Sequence, residues 1–177
     1  MGSEQNDDNP GDSVHVSSAK ALALSSKVMT IATCSEKGPW TAPVYYIFHN
    51  HCFYFFSSET ARHIKDVFSY TRDGGPLDGQ TSRVKGAAAV SIFEDADRFS
   101  GLKGLQMSGH VEKPGMTKAA AAAAADYIKK YRLPFFEKKA LVLIKEKFNA
   151  QFFQFAPEQV YYMDNTMGFG FRKKVNL

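Results

Sequence analysis

The side chains best suited to bind a charged ligand lie in one short segment of the sequence. Three hydroxyls precede two basic residues directly after the apolar run 53–56: Ser57, Ser58, Thr60, Arg62 and His63. Apolar residues then recur at helical spacing, which predicts a helix capped by Ser57 or Ser58, with Glu59 near the positive end of its dipole. A helix start attracts anions, and Arg62 lies four residues after Ser58 on the same face, so a phosphate dianion could bind here. A capped helix with solvated basic side chains is the simpler alternative, and this segment alone favours it.

The histidines and the cysteine outside this segment give weaker indications of a functional site. His49 and His51 flank a predicted hairpin turn without a third metal ligand, so we expect solvated turn residues and no metal site. His110 lies within a predicted strand and is expected to be structural. Cys34 has no recognisable base nearby and is expected to be a small packed residue.

Sequence motifs and cysteine spacing exclude several classes of protein. The two cysteines, Cys34 and Cys52, show no Cys-x-x-Cys spacing, which excludes a disulfide framework and a thiolate zinc site and fits a reducing cytoplasm. The sequence contains no nucleophile-elbow motif, no Walker lysine motif and no glycine-rich dinucleotide fingerprint. No apolar stretch approaches the roughly eighteen residues of a membrane span.

Length and composition predict one folded, β-rich domain. The chain has 177 residues, of which 44% are hydrophobic and 14% aromatic. Residues 1–13 contain four acidic and no basic residues and are expected to form a flexible tail, so that residues 14–177 form the domain. The domain holds 22 basic and 14 acidic residues, and this net charge of +8 is consistent with an anionic ligand such as a phosphate group or nucleic acid, or simply with solubility.

Alternation and turn residues predict a mainly β, α+β fold with antiparallel strands. The first three strands are joined by turns at 35–38 and 49–51, and seven alanines at 119–125 give the strongest helix signal. Residues 72–83 predict a loop, Pro134 ends the alanine-rich helix, and residues 156–158 are expected to separate the last two strands. The predicted helices are 14–27, 57–68 and 119–130, and the predicted strands are 28–34, 40–48, 52–56, 85–93, 105–112, 141–148, 151–155 and 159–163.

Residues 30–48 (TIATCSEKGPWTAPVYYIF), followed by the 57–63 segment, resemble the pyridoxamine 5′-phosphate oxidase-like, FMN-binding split-barrel superfamily. The resemblance covers about residues 20–165 and includes residues 103–112 (KGLQMSGHVE). Residues 160–172 (VYYMDNTMGFGFR) are similar to the C-terminal tails of uncharacterised members and not to the tail of the true oxidase. The resemblance therefore does not assign the substrate of the oxidase to this chain.

The resemblance implies an antiparallel split β-barrel with flanking helices that binds FMN between the subunits of a homodimer. It implies a cytoplasmic oxidoreductase that acts on a small molecule, with no nucleic acid and no membrane as partner. Ser57, Ser58 and Thr60 correspond to the hydroxyl site for the phosphate, and Arg62 and His63 to the basic pair, with His63 in place of a lysine. Pro43, Val44 and Tyr45 would present the second strand to the flavin ring, and Gln106 and Ser108 would approach from the partner subunit.

Two other functions remain open at this point. A haem-binding or haem-degrading split barrel would need His63 or His110 as the iron ligand. A non-enzymatic module could instead use the flavin as a sensor.

Overall fold

Two tight hairpins begin the sheet. The computed structural model describes residues 10–69, 85–133 and 149–177. Gly38 has a φ of 84° at the first turn, and Asn50 and His51 have φ values of 47° and 62° at the second. Two consecutive residues with positive φ match the twist of the flanking strands, which explains the short connection.

In the described residues the helices are α1 (Pro10–Ser25), α2 (Arg62–Val67) and α3 (Lys118–Lys130), and the strands are β1 (Val28–Ser35), β2 (Gly38–His49), β3 (Cys52–Ser58), β4 (Gly86–Glu94), β5 (Lys103–Glu112), β6 (Ala150–Asp164) and β7 (Arg172–Val175).

The described strands form one antiparallel sheet that closes on itself. Their order is β3-β2-β1-β4-β5-β6-β7, and an additional pairing of β3 with β6 closes a ring of six strands. Strand β7 extends the sheet beside β6. This architecture confirms the predicted antiparallel split β-barrel with flanking helices.

The barrel interior is filled mainly by aromatic and branched side chains. Phe53 faces Phe155, and Phe55 faces Phe153, across the closing ladder. All four are fully buried, and each contributes about 1.5–3 kcal/mol through removal of its apolar surface from water. The largest fully buried side chains are Tyr46, Phe53, Phe55, Phe153, Phe155, Met29, Ile31, Ile92, Leu105 and Val111.

Strand β6 is one continuous strand, so the predicted division at residues 156–158 is wrong. Ser108 pairs with Gln159 and Gly109 pairs with Pro157, which leaves Glu158 as an extra residue in a β-bulge. The bulge accommodates a proline that could not donate to a regular ladder. It also reverses the alternation, because Phe155 before it and Val160 after it both face the core.

Helices α1 and α2 close the two ends of the barrel. Ala19, Leu22 and Ala23 of α1 join the core at one end, and Ile64 and Val67 of α2 join it at the other. Helix α1 begins at Pro10, four residues before the predicted start at Val14, with proline in the first helical position. Within the part of the chain that the structure describes, no helix has the length and apolarity that crossing a membrane requires.

Helix α3 covers the outside of the barrel at β2, β3 and β6. Ala120 and Ala123 pack on Tyr54 and Phe152, and Thr117 caps the helix by accepting a hydrogen bond from Ala120 N. The confirmed alanine-rich helix therefore presents its smallest side chains to the sheet. Pro134, the predicted loop 72–83, the predicted strand 141–148 and most of the predicted tail lie outside the described residues.

The end of α3 binds backbone groups of two other elements. The Tyr131 hydroxyl lies 2.7 Å from Lys27 O and 2.6 Å from Tyr46 O, and it accepts a hydrogen bond from Tyr46 N at 3.1 Å. Lys130 Nζ donates to Leu24 O and Ser26 O, the carbonyls at the end of α1. These contacts fix the junction between α1 and β1 against β2.

Gly109 is required by the bulge, and its replacement by alanine tests this. A Cβ atom at residue 109 would lie 2.2 Å from Ala156 O and 2.8 Å from Pro157 Cα, so the backbone of β5 or β6 must move. We expect Gly109→Ala to lower the free energy of unfolding by about 1–3 kcal/mol in urea titrations, as overpacking does. Gly101→Ala is the matched control, because its Cβ would meet only Ala96 Cβ at 3.3 Å. Equal stability of the two variants would contradict this role of the bulge.

Candidate functional site

The hydroxyl-rich segment lies at the end of β3, next to the β1–β2 turn. Ser57 and Ser58 are still in the strand, where they pair with Gln151 and Ala150 of β6. Helix α2 begins only at Arg62, with Ala61 as its N-cap and no side-chain cap. The predicted capping by Ser57 or Ser58 is therefore wrong, because the ladder with β6 keeps both residues extended.

The side chains of this segment bind mainly to one another. Ser58 Oγ lies 2.8 Å from Thr60 Oγ1 and accepts a hydrogen bond from Thr60 N at 3.2 Å. Glu59 forms an ion pair with Lys113. Because α2 has only six residues, anion binding here would depend on the side chains and not on a helix dipole.

Arg62 extends across the β1–β2 hairpin. Its Nη2 atom donates to Lys37 O at 3.0 Å and lies 3.4 Å from Gly38 O. Its guanidinium lies 4.4 Å from the centre of the Trp40 ring, in a cation–π contact. Its Nε atom lies 3.4 Å from Asp66 Oδ2 as an ion pair, but it is buried and the geometry is not that of a hydrogen bond. Arg62 is thus held in place while one buried donor has no hydrogen-bond acceptor.

His63 is a neutral partner of Ser57. Its Nε2 atom lies 2.8 Å from Ser57 Oγ, and the residue is only 8% exposed. Burial lowers the pKa of His63, and the nearby Asp66 carboxylate opposes this only in part. A buried neutral imidazole does not supply the charge of the lysine that it replaces in the resembled pattern, so Arg62 is the main cation of the segment.

Asp66, Trp40 and Lys37 are parts of this site that the sequence did not reveal. Asp66 is 6% exposed and accepts a hydrogen bond from Thr33 Oγ1 at 3.4 Å as well as the Arg62 ion pair. The i, i+4 spacing of Arg62 and Asp66 was a readable signal for that ion pair. Nothing in the sequence indicated that the β1–β2 hairpin would carry Trp40 and the Lys37 carbonyl to Arg62.

The residues predicted for the flavin ring lie mostly on one outer surface of the barrel, which we term the open face. Pro43, Tyr45, Gln106 and Ser108 are all exposed on this face, whereas Val44 points into the core and is 9% exposed. Helix α3 covers a different part of the barrel. The open face comprises the outward-facing residues Val28, Thr30, Ala32, Cys34, Thr41, Pro43, Tyr45, Ala87, Ala89, Ser91, Phe93, Gln106 and Ser108.

The thirteen residues of the open face carry no charge, and the Lys85–Glu112 ion pair lies beyond them at the α2 end of the same side. None of its described residues is Asp, Glu, Lys or Arg, and small side chains such as Ala32, Ala89 and Ser108 occupy its middle. Larger apolar residues lie toward the α1 end, where Tyr45 is 56% and Phe93 61% exposed. An outer sheet surface in contact only with water would normally carry charged residues, so this pattern is typical of a surface that is covered.

A cavity of about 710 Å³ lies at the α1 end of the open face. Thr30, Pro43 and Ser91 form its floor, in register across three neighbouring strands. The α1–β1 junction and the end of β4 form its walls. Its lining residues are Ser25, Ser26, Lys27, Val28, Thr30, Pro43, Ser91, Phe93, Glu94 and Asp95.

The remaining sequence candidates are distributed over the surface. His49 lies 3.2 Å from Asp126 and His51 contacts the carbonyl of Leu177, so both are partnered at the turn. His110 Nδ1 lies 3.4 Å from Glu158 Oε1 at the bulge, beside a cavity of only about 70 Å³. Cys34 is exposed, so its prediction as a packed residue is wrong; it lies on the outward side of β1. Among the described residues, no three His, Cys, Asp or Glu side chains cluster in a way that could hold a metal ion.

Comparison with known proteins identifies relatives by fold alone. No family model and no curated protein sequence matches the chain. Solved structures do match, and a haem-binding protein from Mycobacterium smegmatis has a TM-score of 0.62 at 17% identity. That match covers 92% of this chain but only 57% of the length of the other protein.

Two further structures match over most of both chains. A FAD-binding protein from Mesorhizobium loti has a TM-score of 0.54 at 17% identity, with 81% of this chain and 89% of that chain covered. HutZ, the haem storage protein from Vibrio cholerae, has a TM-score of 0.56 at 15% identity, with 81% and 91% covered. This chain therefore shares the fold of proteins that bind either a flavin or haem.

Proposed function

We propose that the protein binds FMN at the seam of a homodimer and acts as an oxidoreductase of the pyridoxamine 5′-phosphate oxidase-like type. The observation that carries the proposal is the position of an arginine-and-hydroxyl cluster at one end of an uncharged sheet face. Gly38, which contacts Arg62, is five residues from Pro43 along β2, a distance of about 17 Å. This span suits an extended molecule with a phosphate at one end and a tricyclic ring at the other.

The composition of the open face supports dimerisation through it. Charged residues are depleted at the cores of protein interfaces, and two-fold dimers bury the same patch on both copies. The protein carries a net charge of +4, so two copies repel one another weakly and would associate best through a surface without charge.

The strand order also supports a site that needs two subunits. Pro43 and Gln106 are separated by three strand spacings within one barrel, about 14 Å. If one edge of the flavin ring contacts Pro43, neither Gln106 nor the short Ser108 side chain of the same subunit can reach that edge. Two-fold pairing of the open faces brings Gln106 of the partner subunit and Ser108 of the partner subunit toward that ring.

The donors near Arg62 suit a phosphate group. Arg62 is a cation whose buried Nε makes only an ion pair with Asp66, and Ser58 and Thr60 supply two hydroxyls within four residues of it in the sequence. Ser57 is bound to His63, which leaves it less available. In this assignment Arg62 anchors the phosphate, Pro43 and Tyr45 orient the ring, and the two open faces exclude water. The bound flavin would supply hydride or electron transfer.

The M. loti protein supports the flavin, since it is named as FAD-binding and its fold matches this chain over most of both lengths. Haem is the second candidate ligand, because the M. smegmatis and V. cholerae proteins of the same fold are named for haem. His63 or His110 would be the iron ligand, but His63 is bonded to Ser57 and His110 faces a very small cavity. An absorbance spectrum of the purified protein separates the two: flavin bands are expected, and a Soret band with no flavin would overturn the proposal.

If a flavin is bound, its activity decides between an oxidoreductase and a sensor module. We expect NADH, NADPH or another donor to reduce it and a small-molecule acceptor to reoxidise it. A flavin inert to all donors and acceptors would contradict the oxidoreductase part of the proposal and leave the binding part intact.

Removal of Arg62 should weaken binding of FMN through its phosphate. A charge-assisted hydrogen bond contributes about 1.5–3 kcal/mol, so Arg62→Ala should raise the Kd for FMN about 10- to 100-fold, and Ser58→Ala should add to the loss. The measurement is fluorescence titration of flavin-free protein with FMN and with riboflavin. The variant should lose its preference for FMN while its affinity for riboflavin stays unchanged.

Lys65→Ala is the matched control for that experiment. It removes one exposed positive charge from the same helix, α2, without touching the hydroxyl cluster. Equal loss of FMN in the two variants would point to general electrostatics. An Arg62→Ala variant that still prefers FMN over riboflavin would refute the assigned phosphate site.

A charge in the middle of the open face should separate the subunits. Ala89 is exposed and lies between Ala32 and Ser108 in the sheet. Ala89→Glu would bury two like charges near the two-fold axis, so we expect a monomer on light scattering and loss of bound flavin. Ala122→Glu on the exposed side of α3 is the control and should remain dimeric. A dimeric Ala89→Glu protein would show that the subunits meet elsewhere.

A further inference from the structure

A second, half-open cavity lies at the end of the barrel that α1 covers. It has a volume of about 250 Å³, smaller than the roughly 300–1,000 Å³ of pockets for drug-sized ligands. Ser18, Ala21, Leu22 and Ser25 line it from one face of α1, at the i, i+3, i+4 and i+7 positions. Glu94, Lys103 and Tyr162 line it from the ends of β4, β5 and β6.

The two charged residues of this cavity face each other but do not pair. Glu94 and Lys103 are directly opposite across the β4–β5 ladder, where side chains of opposite charge usually meet. Lys103 Nζ instead lies 3.5 Å from Asp164 Oδ2. Among the described residues, no basic side chain lies within 4 Å of the Glu94 carboxylate. The cavity therefore presents one ammonium and one carboxylate at separate points of its wall.

Asp164 holds the Lys103 ammonium in position. The Asp164 carboxylate accepts hydrogen bonds from Tyr162 OH at 2.9 Å, Thr166 Oγ1 at 2.6 Å and Thr166 N at 3.0 Å. Burial alone would raise the pKa of Asp164, but these hydrogen bonds and Lys103 hold it below its usual value. Burial raises the pKa of Tyr162 to about 12, so its hydroxyl remains a donor. Lys103 has three ammonium hydrogens, and the Asp164 contact uses only one of them.

We propose that this cavity binds a small zwitterion whose carboxylate and ammonium are separated by one or two carbons, as in a free α-amino acid. The ligand carboxylate would accept from Lys103 Nζ and the Ser18 hydroxyl, and its ammonium would donate to Glu94 and Ser25. A short apolar side chain would lie on Ala21 and Leu22. A ligand with a single charge would leave either Glu94 or Lys103 without a counter-charge.

The proposal does not depend on the flavin. This cavity and the wider one at Pro43 have Ser25 and Glu94 in common, so a bound amino acid would lie beside the region proposed for the cofactor. Binding can nevertheless be measured on the protein as purified, with or without cofactor. Failure of the flavin assignment and failure of this one are therefore distinguishable.

Calorimetric titration with leucine and two analogues tests the ligand class. 3-Methylbutylamine lacks the carboxylate of leucine, and 4-methylpentanoate lacks its ammonium. We expect leucine to bind at least about tenfold more tightly than either analogue, because each charge makes its own charge-assisted hydrogen bonds. Equal binding of the three compounds, or no binding of glycine, alanine or leucine at millimolar concentration, would overturn the proposal.

Three variants test the location. Glu94→Gln should lower the affinity for leucine at least about tenfold. It should leave the affinity for 4-methylpentanoate unchanged, since that analogue has no ammonium. Asp97→Asn changes an exposed acid of the segment that follows β4 and does not line the cavity, so it should leave leucine binding unchanged. Ala21→Trp should block the cavity without a change of charge, and because Ala21 is exposed the fold should persist, as checked by thermal unfolding. Unchanged leucine affinity in Glu94→Gln or in Ala21→Trp would overturn the assignment.

Discussion

The pairing of β3 with β6 is the constraint on which the rest of the structure depends. It joins residues about a hundred positions apart in sequence and turns an open sheet into a closed barrel. Four phenylalanines, Phe53, Phe55, Phe153 and Phe155, meet across this ladder and fill the interior. Because β6 bonds to β3 with its first half and to β5 along most of its length, no helix or loop is needed to close the ring.

Closure also divides the outer surface into a side that a helix covers and a side that no described helix covers. The side formed by β2, β3 and β6 is covered by α3, whose alanines let it approach the sheet closely. The opposite side carries the open face, on which no described helix packs and whose thirteen residues include no charged side chain. The charged groups that could hold ligands lie at the two ends of the barrel, Arg62 beside α2 and Glu94 with Lys103 beside α1. The two proposed ligand sites thus begin at opposite ends of one barrel, and the proposed flavin site extends from Arg62 onto the open face.

The sequence predicted what local interactions determine and missed what distant contacts decide. The first hairpins could be predicted because Gly38 and Asn50 specify their turns, and α3 because alanine has the highest helix propensity. Ser57 and Ser58 have the chemistry of helix caps, but pairing with β6 keeps them in the strand. Pro157 was expected to end a strand, and only its position opposite Gly109 makes a bulge there acceptable.

The sequence predicted only part of the membership of the candidate site and none of its geometry, because Asp66, Trp40 and Lys37 were not among the predicted residues. The residues from Ser57 to His63 were identified from their types, and the structure brings them together next to the β1–β2 turn. The neutral state of His63 follows from burial, and the orientation of Arg62 follows from Trp40, which reaches it through the folding of a separate hairpin. Such properties arise from tertiary packing, which a linear pattern does not encode.

The Tyr131 hydroxyl has a consequence for how the chain is made. It completes the bonding of backbone atoms in residues 27 and 46, which the ribosome synthesises 104 and 85 residues earlier. Until Tyr131 has been translated, the base of the first hairpin lacks this hydrogen-bond partner. The N-terminal half of the barrel therefore cannot complete its native contacts before α3 has been synthesised. Tyr131 therefore joins the first hairpin only after α3 has been synthesised, and the barrel closes later still, when β6 has emerged and can pair with β3.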